Sequence, residues 1–151
     1  LSWPARIPAG QVITDPAVAM DIFPTMLKAA GGDPITYQLD GIDLLPHLAE
    51  GRAFPQRDIF WEMKGQTAIR RGPWKLVLNG QLVEGAPPED DVHLANLEED
   101  MGERHNLKDQ HPELTQELKA EAEAWRGALD RRWDEEWQPI INGTTGYPTK
   151  T

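Results

Sequence analysis

The sequence predicts an α+β fold: a small antiparallel sheet of about four strands with a long carboxy-terminal helix packed on it, preceded by one more strand and one more helix. Three observations lead there. Between residues 58 and 96, runs rich in Ile, Phe, Trp, Val and Leu are broken by turn residues, the pattern of strands joined as hairpins. Beyond Pro112, the apolar residues Leu114, Leu118, Ala122, Trp125 and Leu129 recur at spacings of four, four, three and four, the stripe of an amphipathic helix. Residues 1–32 carry an extended run and a helical pattern, with no obvious partner strand nearby.

Residues 1–13 (LSWPARIPAGQVI) read as the end of a strand followed by a turn, because Pro4 and Pro8 each remove a backbone donor and Gly10 permits the turn. Next, Ile22, Phe23, Met26, Leu27 and Ala30 repeat at helical spacing, and Gly31-Gly32 supplies the stop. Pro24 fits such a helix only in its first turn, where the missing N–H has no helical partner. The helix therefore starts near Met20 or Asp21, and the Asp21 carboxylate suits the positive end of its dipole. Residues 33–56 read as loop around a short helix from Leu44 to Ala49, with Asp43 as cap and Gly51 as terminator.

Strands are expected at Asp58–Met63, Thr67–Arg71 and Trp74–Asn79, separated by Lys64-Gly65-Gln66 and Gly72-Pro73. An acid-rich loop from Gly80 to Asp91 then leads to a fourth strand at Val92–Asn96, and Glu98–Leu107 is turn-like. The longest helix is expected from about His111 to Trp133, with Pro112 at its first position. From Gln138 onward there is no periodicity, which predicts a tail that is disordered or held by another surface.

Charge narrows the function. The 151 residues carry a net charge of −10, and only residues 57–80 are basic on balance, with five basic and two acidic side chains. An acidic body argues against general nucleic-acid binding, which needs a basic face to neutralise phosphates, while a local basic strip suits an anionic ligand. No apolar run approaches the length of about eighteen residues that reads as a membrane span. With no cysteine there are no disulfides or thiolate ligands, and the compartment stays open. His47, His93, His105 and His111 lack the short pairings that bind metals, and neither Glu89-Asp90-Asp91 nor Glu98-Glu99-Asp100 has the alternating oxygen spacing of a calcium loop.

Trp61, Glu62 and Lys64 lie where a strand enters a turn, so their side chains are candidates to face a pocket; the plainer alternative is a core Trp61 and a solvated Lys64. Arg70 and Arg71 alternate across a strand, so only one can face a given ligand.

Five segments carry a resemblance in order: Trp3-Pro4, Asp21-Ile22-Phe23-Pro24-Thr25, Leu39-Asp40-Gly41-Ile42-Asp43-Leu44-Leu45-Pro46, Arg71-Gly72-Pro73-Trp74-Lys75-Leu76-Val77, and Gly102-Glu103-Arg104-His105-Asn106-Leu107. The chain resembles the carboxy-terminal part of a sulfatase of the alkaline-phosphatase superfamily. It departs from that pattern at Leu94-Ala95-Asn96-Leu97, at Asp100-Met101 and at Ala5, which replaces a frequent glycine. The resemblance implies that residues 1–32 are the last strand and helix of a large α/β catalytic domain missing here. Residues 33–51 would be a connector, 52–137 the small carboxy-terminal domain and 138–151 a tail.

It also implies a sulfate-ester substrate, a Ca2+ ion, and a formylglycine made from the cysteine or serine of a Cys/Ser-x-Pro/Ala-x-Arg motif, all handled upstream. No catalytic residue and no metal ligand is then expected in this chain, and no serine motif is expected to stand in for the absent cysteine. The small domain would supply one wall of the substrate pocket, with Trp61, Glu62, Lys64 and Arg70 as its candidates. A phosphonate or phosphate monoester hydrolase of the same superfamily, and a non-catalytic binding or scaffold module, remain as alternatives.

Overall fold

The computed structural model describes residues 1–63, 65–80 and 90–144, apart from the side chains of Asn142 and Thr144. They fall into two units, Leu1–Gln56 and Arg57–Thr151.

In the first unit a 3-10 turn at Ala19–Asp21 leads into helix α1, Ile22–Ala29, and a second helix, α2, spans Leu45–Glu50. Pro24 is the third residue of α1, where no donor is required, and Gly31 ends the helical segment at a φ of 87°, a left-handed value that glycine adopts without strain. α2 ends at Gly51, φ 67°, and the Asp43 carboxylate accepts the Leu45 N–H at 2.9 Å.

Asp21 does more than complement a dipole. Fully buried, its carboxylate accepts the N–H of Val18 and of Ile42, each at 2.9 Å, while the Thr25 hydroxyl donates to the Asp21 carbonyl at 2.6 Å and accepts the Leu44 N–H at 2.9 Å. The start of α1 is thus spliced to the segment that precedes α2. Gly41 makes the approach possible, because a Cβ at that position would sit 2.1 Å from the Met20 carbonyl oxygen and 2.8 Å from the Asp21 nitrogen. Gly41→Ala is therefore expected to cost about 2–3 kcal/mol through backbone displacement. Urea denaturation and amide exchange at Ile42 measure this, and an unchanged midpoint with undiminished Ile42 protection would contradict it.

The strand expected within residues 1–13 is not formed. The N–H groups of Arg6 and Ile7 both donate to the Trp3 carbonyl, at 2.8 and 2.7 Å, closing a turn, and no strand occurs among residues 1–56 to supply ladder partners. α1 also leaves Ile22, Phe23 and Met26 more than half exposed, at 54, 57 and 58%.

The second unit is a meander. Strands β1 (Asp58–Met63), β2 (Gln66–Arg71), β3 (Trp74–Leu78) and β4 (Val92–Asn96) pair antiparallel in sequence order, within a residue of the expected bounds. Their register aligns Phe60, Ile69, Leu76 and Leu94 across the sheet. Helix α3, Pro112–Arg132, lies over that row: Ile69, Leu76, Leu94, Leu118 and Ala122 are fully buried together, and Trp125 stacks on Phe60 at 5.0 Å between ring centroids. Burial of these apolar surfaces is the main favourable term available to so small a sheet.

Beyond α3 the chain differs from the expected irregular tail. A π-helical turn at Trp133–Trp137 leads into helix α4, Gln138–Thr144. Pro139 has no N–H, and in a regular α-helix its ring would meet the carbonyl of residue 135; the wider π turn just before it accommodates that break. Most of the acid-rich loop (81–89) and residues 145–151 of the tail lie outside the described residues.

Candidate functional site

The pleat places successive strand residues on opposite faces. With Ile69 and Leu76 turned toward α3, the other face presents Trp61 on β1, Ala68 and Arg70 on β2, and Lys75 and Val77 on β3. These residues line an open cavity of about 460 Å³. Ala68 pairs with both Trp61 and Val77, giving an apolar floor, and Arg70 sits opposite Lys75.

Trp61 is 41% exposed at this face. The Arg70 Nε–H donates to the Gly72 carbonyl at 3.0 Å, which fixes the guanidinium, and no carboxylate among the described residues pairs with it. Lys75 is different, since its Nζ donates to Glu103 Oε1 at 2.5 Å. Glu103 reaches it from the turn after β4, where its own φ is 52° and the Asp100 carboxylate accepts the Arg104 and His105 N–H groups at 2.7 and 2.9 Å. Among the described residues, the cavity therefore holds the Arg70 guanidinium without a carboxylate partner and the Lys75–Glu103 ion pair.

The expected pocket residues separate. Trp61 and Arg70 share the cavity. Glu62 lies on the opposite face, accepting the Gly65 N–H at 3.3 Å with its Oε1 3.8 Å from Arg126 on α3. Lys64 lies outside the described residues. Of the alternating arginines, Arg71 is the structural one: it donates to both Asp58 oxygens, at 2.7 and 2.5 Å, and to Glu117 at 2.5 Å, bonds that raise its pKa above the ordinary arginine value despite partial desolvation. The Lys75–Glu103 pair was not foreseen, because residues 28 apart give no local signal.

A second polar cluster lies on the rim of β4. The Asn106 side chain accepts the Leu94 and Lys108 N–H groups at 3.0 and 3.1 Å, and donates to the Val92 carbonyl at 2.8 Å and to Asp90. Burial pushes the Asp90 carboxyl up, but hydrogen bonds from Lys108 and Asn106 outweigh it and hold the group below the usual carboxylate range. Lys108 is raised in turn by Asp90. Every member of this cluster serves to tie the turn before α3 to the edge strand.

One serine escapes the expectation that no motif replaces cysteine. Ser2-Trp3-Pro4-Ala5-Arg6, which contains the only serine of the chain, has the Ser-x-Pro-x-Arg spacing. Its surroundings are those of a surface turn: Ser2 is exposed, Arg6 lies over the Trp3 ring at 5.4 Å, and no helix begins before residue 19. Among the described residues no group of three His, Cys, Asp or Glu side chains is placed to hold a metal ion.

No family model matches the chain. It is similar to known proteins all the same: 45% identical over 68 residues to N-acetylgalactosamine-6-sulfatase of Sus scrofa, an alignment covering 44% of this chain and 13% of that protein. Arylsulfatase A of Bos taurus is 29% identical over 135 residues, covering 76% of this chain and 26% of that protein. Among solved structures, the crystal structure of Ps i-CgsB superposes with a TM-score of 0.64 at 24% identity, over 95% of this chain and 34% of that one. The four-stranded meander with its long helix is a fold that the chain shares with that structure. In sequence and fold together, the chain is a sulfatase-like carboxy-terminal part, and it spans about a quarter or less of these curated relatives' length.

Proposed function

We propose that the chain is the carboxy-terminal part of a sulfuric ester hydrolase whose nucleophile and divalent cation lie outside residues 1–151. In this reading a formylglycine in the missing amino-terminal domain would supply the oxygen nucleophile, and the open face of the sheet forms one wall of the substrate pocket. The observation that carries it is the combination of sulfatase likeness over much of the chain with a short share, 13 to 26%, of those relatives' length. The exposed Ile22, Phe23 and Met26 of α1 support it, as an apolar face suited to a further layer of protein. Residues 1–32 then complete the large domain and residues 52–137 form the small one.

The test has two parts. The isolated 151-residue chain is expected not to hydrolyse 4-nitrophenyl sulfate; turnover by it would sink the proposal. The complete reading frame containing this sequence, expressed with a formylglycine-generating enzyme, is expected to hydrolyse that ester in preference to phenyl phosphonate monoesters. A preference for the phosphonate would move the chain to the sister hydrolases. A frame with no Cys/Ser-x-Pro/Ala-x-Arg motif upstream would favour a binding module.

A further inference from the structure

In the pocket where α3 runs into its π turn we infer an auxiliary binding site for an uncharged saccharide. The site does not depend on the hydrolase assignment, and among the described residues it shares no lining residue with the open-face cavity. Its volume is about 480 Å³, and Trp133 and Trp137 line it together with Glu62, Arg126, Asp130 and Arg132. That volume falls in the range of about 300–1,000 Å³ common to small-molecule sites.

Trp133 and Trp137 stand four residues apart on the π turn, 42 and 47% exposed, so two large apolar surfaces border one pocket. Turns of this kind recur at functional sites. The polar part of the lining is two carboxylates and two guanidiniums, and these are arranged in pairs. Arg126 donates to Asp130 at 2.7 Å and lies 3.8 Å from Glu62 Oε1, while the Arg132 Nε–H donates to Glu136 at 3.2 Å.

This balance selects the ligand class. A charged ligand finds each opposite charge already compensated, and so gains little beyond what water supplies. A wholly apolar ligand covers the ion pairs without replacing their hydration. A polyol meets both demands: its hydroxyls donate to Glu62 and Asp130 and accept from the two guanidiniums, while a pyranose ring lays its C–H face on an indole. Pyranoses with all substituents equatorial fit best, since their hydroxyls ring the edge and both faces are left as C–H. Glu62 at 3.8 Å from Arg126 is beyond hydrogen-bonding distance, a gap that a hydroxyl can bridge.

Titration of the 151-residue chain, followed by NMR at the Trp133 and Trp137 indole N–H groups, tests this with four probes: cellotriose, trigalacturonate, tetramethylammonium and cyclohexanol. Cellotriose is expected to shift both indoles saturably, and the other three to bind at least about tenfold more weakly. Trp137→Ala is expected to weaken cellotriose about tenfold, and Trp137→Phe to recover part of the loss, the scale of one aromatic stacking contact. Amide shifts of β2 and of the first half of α3 report whether each variant is folded. Equal or tighter binding of the anion, the cation or the apolar ring would overturn the inference. So would an absence of saturable indole shifts with cellotriose, or unchanged cellotriose affinity in a folded Trp137→Ala variant.

Discussion

Asp21→Ala is expected to destabilise the first unit by about 3–5 kcal/mol, because it strands two backbone donors that now bond a buried carboxylate. The Val18 and Ile42 N–H groups reach that carboxylate from opposite sides of the sequence, at 2.9 Å each. Neither can turn to water without opening the splice between α1 and the segment before α2, which the Thr25 hydroxyl reinforces through Leu44. Asp21→Asn keeps one acceptor oxygen and is expected to lose roughly half as much, since hydrogen bonds to a charged group are worth about twice those to a neutral one. Amide exchange at Ile42 and Leu44, with equilibrium denaturation, measures both variants. Wild-type protection of Ile42 in the alanine variant would refute this account.

Asn106 carries the other large effect. Its side chain closes both a donor and an acceptor of β4, Leu94 N–H and Val92 C=O, in the stretch where the Leu107 N–H also bonds the Leu94 carbonyl at 2.8 Å. Asn106→Ala leaves those groups at the buried edge of the core and is expected to cost about 2–4 kcal/mol. Asn106→Asp is expected to be no better: it deletes the donor and places a second carboxylate beside Asp90, a group held ionised by Lys108. Urea midpoints of the two variants decide the point, and an aspartate variant as stable as wild type would exclude the donor role.

Much of this architecture is legible in the sequence because its signals are local. Alternating apolar residues and the dipeptide Gly72-Pro73 fix the strands to within a residue, and Pro112 marks the start of α3. What escapes are features whose causes lie far along the chain. Ile42, which donates to Asp21, is 21 residues away from it, and the role of Gly41 shows only when another backbone stands against it. Residues 1–13 look extended by composition, but a strand is defined by partners, and the first unit holds none.

At the candidate site, Trp61 and Arg70 come together as a strand-end position and an arginine alternation suggest. Glu62 separates from them because neighbours in a strand face opposite ways, a parity that applies equally to Trp61-Glu62 and to Arg70-Arg71. The helical continuation through Pro139 was hidden for a different reason, since proline usually ends a helix and here the π turn absorbs it.

The strand order has a consequence for how the second unit forms. Each strand pairs only with its neighbour in sequence, and α3 follows the last of them, so most contacts join residues close along the chain. Ordering such a meander demands little loop closure before the contacts begin to compensate, and topologies of this kind fold rapidly for β-rich proteins. The unit can therefore assemble as its residues become available during synthesis, with the Ile69, Leu76 and Leu94 row waiting only for Leu118 and Ala122 to arrive.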